Sequence, residues 1–193
     1  MTFQQDIYPV QFNVDYPEES LNRASSFFRL VFVIPIYIVL YSMAGALLVL
    51  PPLLMILFRR KYPRWWFDWN LELLRLFSRV TVYFSLLRDE YPSTDEEQAV
   101  HLNMAYPDVP GQLNRWLPLV KWFLAVPHYI VLFFLGIAAI IVIILAWFAI
   151  LFTGRCPRGL FNFVVGVMRW SVRVQAYAFL MVTDRYPPFR LSQ

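Results

Sequence analysis

Two long runs without a charged residue, 30–58 and 122–154, constrain this chain more than any other feature. The second is 33 residues long. As one helix it would reach about 50 Å, against a hydrocarbon core of about 30 Å, so it must break, tilt strongly or double back. Pro127 and His128 interrupt it, which predicts an interfacial helix over 113–126 followed by a spanning helix over 128–153. Trp116, Lys121 and Trp122 on the first piece suit an aromatic-cationic belt. Pro35 takes the same place in the first run, and Pro51-Pro52 adds a second break there, which predicts a kink.

Composition agrees with these runs. The chain is 59% hydrophobic and 16% charged, with a mean hydropathy of +0.51, whereas a soluble domain is about 45–50% apolar and about 25% charged. Too few charges remain to cover a water-soluble enzyme. A disordered chain, a nucleic-acid-binding surface and a disulfide-stapled scaffold are excluded on the same grounds. The single Cys156 leaves no internal disulfide and no cysteine-rich metal site. The first 26 residues are polar and acidic, so no signal peptide is expected.

The net charge of +4 is unevenly placed. Arg59, Arg60, Lys61 and Arg64 form one basic knot, and Arg155 with Arg158 forms another. The acids gather at Asp6, Asp15, Glu18 and Glu19, and again from Asp89 to Asp108. Basic knots beside apolar runs read as cytoplasmic loops.

The chain also reads as two copies of one unit, 1–98 and 99–193. Val10-Gln-Phe-Asn13 through Tyr16-Pro17 matches Val100-His-Leu-Asn103 through Tyr106-Pro107, and Asn22-Arg23 matches Asn114-Arg115. Pro35 through Leu40 matches Pro127 through Leu132. Arg75, Arg79 and Tyr83 match Arg169, Arg173 and Tyr177, and Asp89 through Pro92 matches Asp184 through Pro187. Val10-Phe12-Val14 and Val100-Leu102-Met104 alternate as half-buried strands do, and a second strand-like stretch is expected before Tyr91-Pro92 and before Tyr186-Pro187. The Tyr-Pro pairs mark the ends of regular elements, with the tyrosine as an interfacial anchor. The expected fold is therefore mainly α and integral to the membrane. It is a tandem duplicated unit of strand, interfacial helix, membrane helix, Arg-bearing helix and strand, with a small extramembrane β cap.

The segments 65–87 and 160–182 decide the topology. Arg75, Arg79 and Tyr83, and likewise Arg169, Arg173 and Tyr177, follow at i, i+4 and i+8 along one helix stripe. Each arginine at a bilayer centre costs about 2.5–3.5 kcal/mol, so the stripe faces a bundle interior or the interface. One crossing per unit would put the two basic knots on opposite sides. Two crossings per unit, four in all, put them together. In the competing arrangement each long run is a hairpin dipping into one leaflet, with the arginine helices flat on the surface.

No G-x-S-x-G, H-E-x-x-H, phosphate-cradling glycine loop or dinucleotide fingerprint occurs, and no catalytic or metal-ligating set emerges. Arg75, Arg79, Arg169 and Arg173 are candidates for gripping lipid phosphates or a partner's carboxylates through their planar forks. Asp89 and Asp184 are candidates for pairing with them. His128 is a candidate ligand for a haem or a pigment metal, against the plainer reading of a polar interfacial residue. No cofactor is otherwise implied.

Asn114-Arg-Trp-Leu-Pro-Leu-Val-Lys-Trp122, Val126-Pro-His-Tyr-Ile-Val-Leu132, Phe152-Thr-Gly-Arg-Cys-Pro-Arg-Gly-Leu-Phe161 and Thr183-Asp-Arg-Tyr-Pro-Pro-Phe189 resemble a family of bacterial membrane proteins known only as a domain of unknown function. The resemblance covers essentially the whole chain, twice. The first copy departs from the pattern with Ile36 in place of the histidine and Trp65-Trp66 in place of Gly-Leu. It implies a membrane location, and no catalytic residue carries over.

These readings lead to a non-enzymatic, multi-pass protein of the bacterial inner membrane. Its expected role is that of an accessory or scaffolding subunit, with the lipid bilayer and other membrane-protein subunits as partners and neither nucleic acid nor a small-molecule substrate. A membrane-shaping or lipid-organising hairpin protein is the alternative, and a pigment- or haem-binding subunit through His128 is a third.

Overall fold

The computed structural model describes residues 8–43, 49–94 and 96–193, without the side chains of 30 and 39–43. The two alternating stretches form strands β1 (Val10–Val14) and β2 (Val100–Met104), paired antiparallel with Phe12 opposite Leu102. Val10, Phe12, Val14, Val100 and Leu102 are buried, whereas Gln11, Asn13, His101 and Asn103 face out, as a period of two requires when one face meets a core.

Helix α1 spans Arg23–Met43, and α2 (Leu50–Leu54) runs on into a π turn, Met55–Arg59. Helix α3 spans Arg64–Phe84. After β2 come the one-turn α4 (Val109–Gln112), a 3-10 turn at Leu117–Leu119, and the one-turn α5 (Lys121–Leu124). The long α6 (Val126–Thr153) and α7 (Arg158–Ala178) follow.

Contacts between elements define three layers. Strand β1 packs on α7 and β2 on α3; α6 packs on α7, α1 on α3, and α1 on α6. Helices α6 and α7 run antiparallel, joined by a four-residue loop in which Gly154 takes a left-handed conformation (φ 74°) and ends α6. Ala125, Tyr129 and Leu132 meet Trp170, Val174 and Tyr177 toward one end. Ala146 and Ile150 join the main core with Phe161 and Val164 at the other. Two arginines bridge to distant helix ends: Arg23 donates to the Phe152 carbonyl at 3.4 Å, and Arg115 donates to the Leu57 carbonyl, where a cation suits the exposed C-terminal carbonyls.

Several expectations are corrected. The tandem unit of strand, interfacial helix, membrane helix, Arg-bearing helix and strand with four crossings does not hold. Among the described residues one helix, α6, is long and apolar enough to cross a membrane. Helices α3 and α7 fall short of that standard because each sets charged and amide side chains along one face. Among the described residues no strand forms before Tyr91 or before Tyr186, where one was expected. Leu86 and Met181 instead adopt left-handed conformations (φ 62° and 58°) that fold the chain back under the helix ends, with Leu87 N–H donating to the Val82 carbonyl and Val182 N–H to that of Ala176.

The interfacial helix over 113–126 is reduced to the 3-10 turn and α5, because Pro118 and Pro127 each open a new turn. Helix α1 continues through Pro35, where a break was expected, whereas the break at Pro51-Pro52 is observed as the first turn of α2. The middle of the first apolar run, 44–48, lies outside the described residues.

Candidate functional site

Of the three cations buried among the described residues, Arg29, Lys121 and Arg173, the first two are each paired with an aspartate near the end of a helix. Lys121 is fully buried (0% exposed); its Nζ lies 2.7 Å from Asp184 Oδ1, donates to the Thr183 carbonyl at 2.8 Å and sits 5.2 Å from the Tyr177 ring centroid. Asp184 Oδ2 in turn accepts from the Asn114 N–H. Burial pulls the Lys121 ammonium below the ordinary lysine range, and Asp184 pulls it part of the way back.

A second cluster has the same design. Arg29, 2% exposed, pairs with Asp89, donates to the carbonyls of Tyr83 (2.9 Å) and Arg88 (2.8 Å), and lies 4.5 Å from the Tyr83 ring centroid. Asp89 also accepts from the Asn22 N–H. Asp89 and Asp184 are thus brought to cations, but to Arg29 and Lys121 rather than to the arginine stripes. Sequence reasoning passed over Arg29 and placed Lys121 in an exposed belt. The available signal was position: Arg29 stands one residue before the first charge-free run, and Lys121 one residue before the second.

The stripe arginines are engaged within the fold. Arg169 donates to the Phe12 carbonyl (2.8 Å), the Leu191 carbonyl (2.8 Å) and Asn13 Oδ1 (3.3 Å). Arg75 reaches the Leu102 carbonyl (3.0 Å), Glu72 (2.6 Å) and Asn103 Oδ1 (3.5 Å). Arg79 donates to the Ser93 carbonyl, and Arg173 to that of Arg190 while lying 5.9 Å from the Tyr8 ring centroid. Arg75 and Arg169 thus tie their helices to the strands, and Arg169 and Arg173 tie α7 to the chain tail, while the Nε of Arg79 and of Arg173 is buried without a hydrogen-bond partner among the described residues.

The Tyr-Pro tyrosines act in the same way. Tyr62 donates to the Leu180 carbonyl and Tyr186 to the Leu124 carbonyl, both at 3.0 Å, Tyr106 donates to the Tyr62 carbonyl, and Tyr16 to that of Cys156. Tyr62 and Tyr8 are buried, and burial raises their phenol pKa values.

His128 is buried within an aromatic group. Its ring stacks on Phe189 with centroids 4.0 Å apart and lies 4.7 Å from that of Tyr186, while its Nδ1 accepts from the Trp170 indole N–H at 3.0 Å. Indole nitrogen only donates, so Nδ1 carries no proton and Nε2 carries the proton of the neutral ring. An axial ligand to haem or a pigment metal needs Nε2 bare. That would put a proton on Nδ1, facing the indole N–H. The residues present therefore do not fit a haem or pigment metal at His128.

The outer face of α6 has a different character. Within its most apolar 18-residue window only 11% of residues are buried. Large apolar side chains stand exposed along one stripe, including Ile130, Phe133, Phe134, Ile137, Ile140, Ile141, Ile144, Leu145, Phe148 and Phe152. Phe27, Phe28, Val31, Phe32, Ile34 and Ile38 extend the exposed apolar surface onto α1, and Trp116, Trp122 and Phe123 flank the N-terminal end of α6. Phe27 of α1 stacks on Trp147 of α6, with centroids 6.4 Å apart. This face belongs to the α1–α6 layer, whereas β1 and β2 pack on α7 and α3, the layer behind it.

No curated protein and no solved structure matches the chain. Residues 116–190, from the turn before α6 to the tail beyond α7, match the family described as a domain of unknown function (DUF4389), which shows the resemblance to an uncharacterised family over that segment.

Proposed function

We propose that this protein is a non-enzymatic membrane-seated scaffold whose α1–α6 face is immersed in one leaflet, with the strand pair toward water. The single observation that carries this reading is the apolar stripe of α6, a 28-residue helix left open along its outer side. The core helix of a soluble protein is covered by its neighbours; this one is covered on one side only. Ten exposed side chains at about 1 kcal/mol each, roughly half of the value for full burial, give on the order of 10 kcal/mol for transfer into lipid.

The layer order supports an in-plane pose over an upright one. Helix α6 runs along α7, and Arg169, midway along α7, is bonded to Phe12 and Asn13 of β1. Upright, these groups and the outward-facing Gln11, Asn13, His101 and Asn103 would lie at the depth of the hydrocarbon core, each unpaired backbone or polar group at a cost of several kcal/mol. In the plane of the leaflet they lie on the water side, and the exposed apolar surface of α6 and α1 meets acyl chains.

The test is flotation of the full chain with phosphatidylethanolamine–phosphatidylglycerol vesicles, followed by depth measurement with spin labels at positions 130, 141 and 152. Equal depths at the three positions support the pose. A label at 141 near the bilayer centre, with 130 and 152 at opposite headgroup levels, would refute it.

As a scaffold the protein would serve other membrane subunits. The exposed aromatic group Phe58, Trp65 and Trp69 around the start of α3 favours that role. Co-purification from native membranes, lost on Trp65→Ala with Trp69→Ala, would support it; unchanged recovery of every companion would remove it.

A further inference from the structure

Between α1 and α6 lies a groove of about 400 Å³, within the range of small-ligand sites. Its walls are almost wholly apolar, formed by Phe27, Phe84, Ile140, Ile144 and Trp147, and the exposure of Phe27, Ile140 and Ile144 shows that it opens on the same outer face as the α6 stripe. Two polar residues also line it: Ser26, 3% exposed, and Arg29, 2% exposed. Arg29 spends its terminal nitrogens on Asp89 and two carbonyls, but among the described residues its Nε–H has no partner, and neither has the Ser26 hydroxyl. Both donors are enclosed in the fold beside an apolar slot on the lipid-facing side, so an occupant that is a chain ending in an oxygen satisfies them once the two side chains turn toward it.

We propose that this groove holds one acyl chain of a membrane glycerolipid, its ester carbonyl oxygen accepting from Ser26 Oγ and Arg29 Nε. The proposal rests on the leaflet-seated reading above. Charge selects the ester over a free carboxylate. Asp89 already balances Arg29, and Asp89 also lines a cleft where Asp15, Glu18, Glu19 and Glu90 outnumber the cation Arg88, a net negative lining that disfavours an anion. A neutral carbonyl satisfies both donors without adding charge.

The experiment uses the full chain in phosphatidylethanolamine–phosphatidylglycerol vesicles containing a phospholipid with a photoactivatable diazirine on one acyl chain, with adducts mapped by peptide mass spectrometry. Adducts concentrated at 26–27 and 140–148, in excess over 130–134 on the same face, are expected. Ile144→Trp fills the slot and should abolish that excess while leaving the adducts at 130–134. Ser26→Ala, which adds no bulk, should lower phospholipid retained through detergent extraction about fivefold, the loss of one hydrogen bond, with flotation unchanged. Uniform labelling along α6 in a protein that still floats overturns the groove. So does labelling by a diazirine fatty acid but not by the phospholipid, or a second protein chain crosslinked at 147 in place of lipid. Failure of the wild-type chain to float overturns the leaflet-seated reading itself.

Discussion

Replacing Asp184 by Asn tests the reasoning about the buried cations most directly. Lys121 is fully enclosed and Asp184 is 19% exposed, so the substitution leaves the ammonium with the Thr183 carbonyl and the Tyr177 ring but no counter-charge. Breaking a buried pair from one side costs about 3–5 kcal/mol. The partial exposure of Asp184 sets the expectation at the lower end, about 3 kcal/mol. For a chain of this size that lowers the midpoint of thermal unfolding by about 6–12 °C. The pH dependence has a definite sign. In the folded state Lys121 titrates below its ordinary 10.5, so between the folded and unfolded values the unfolded chain binds more protons and stability rises with pH. Removing Asp184 depresses the folded value further and widens that window downward. The deficit of Asp184→Asn should therefore be largest near neutrality and shrink as pH approaches 10.5. Lys121→Met combined with Asp184→Asn should recover most of the loss, since no unpaired charge remains. The assay is tryptophan-monitored thermal unfolding in a mild detergent across a pH series. A variant within 1 kcal/mol of the parent at about neutral pH, or a deficit that grows with pH, would refute the argument.

Three further outcomes follow from other parts of the fold. Arg169→Lys loses the fork that serves Phe12, Leu191 and Asn13 at once; a loss of about 1–3 kcal/mol is expected in denaturant titration, with earlier proteolysis of the C-terminal tail. Gly154→Ala forces a side chain into a left-handed position at the end of α6 and should cost about 1 kcal/mol, read as a shift of the unfolding midpoint. Cys156 is buried and its thiol is pushed up to about 11, so maleimide should react slowly with the folded protein at neutral pH and rapidly after unfolding; prompt labelling of the folded chain would contradict its placement.

Much of the local structure was legible in the sequence because it depends on neighbours a few residues apart. The alternation Val10-Phe12-Val14 announced a strand, the charge-free run after Lys121 announced α6, and the spacing of Arg169 and Arg173 announced a helix with a polar stripe. The closing strands were misjudged because Leu86 and Met181 turn left-handed, a choice made by what lies beneath the helix ends rather than by propensity. Asp89 and Asp184 were recognised as ion-pair partners, but their cations lie 60 and 63 positions away in sequence, on α1 and α5. No periodicity connects residues at that separation.

The sequence by itself determined that a helix long and apolar enough to cross a membrane must exist, because hydropathy is a property of side chains wherever the backbone takes them. Only the tertiary structure decided what the scarce charges do. Folding sets the arginine forks against carbonyls of strand and tail, and it encloses Lys121 and Arg29 with their aspartates. In a low-dielectric interior every unpaired donor is costly, so the few charges of an apolar chain are drawn toward acceptors that only the assembled layers bring within reach. That pairing stays incomplete at several buried atoms, among them Ser26 Oγ and Arg29 Nε beside the α1–α6 groove and Arg79 Nε and Arg173 Nε on the arginine stripes.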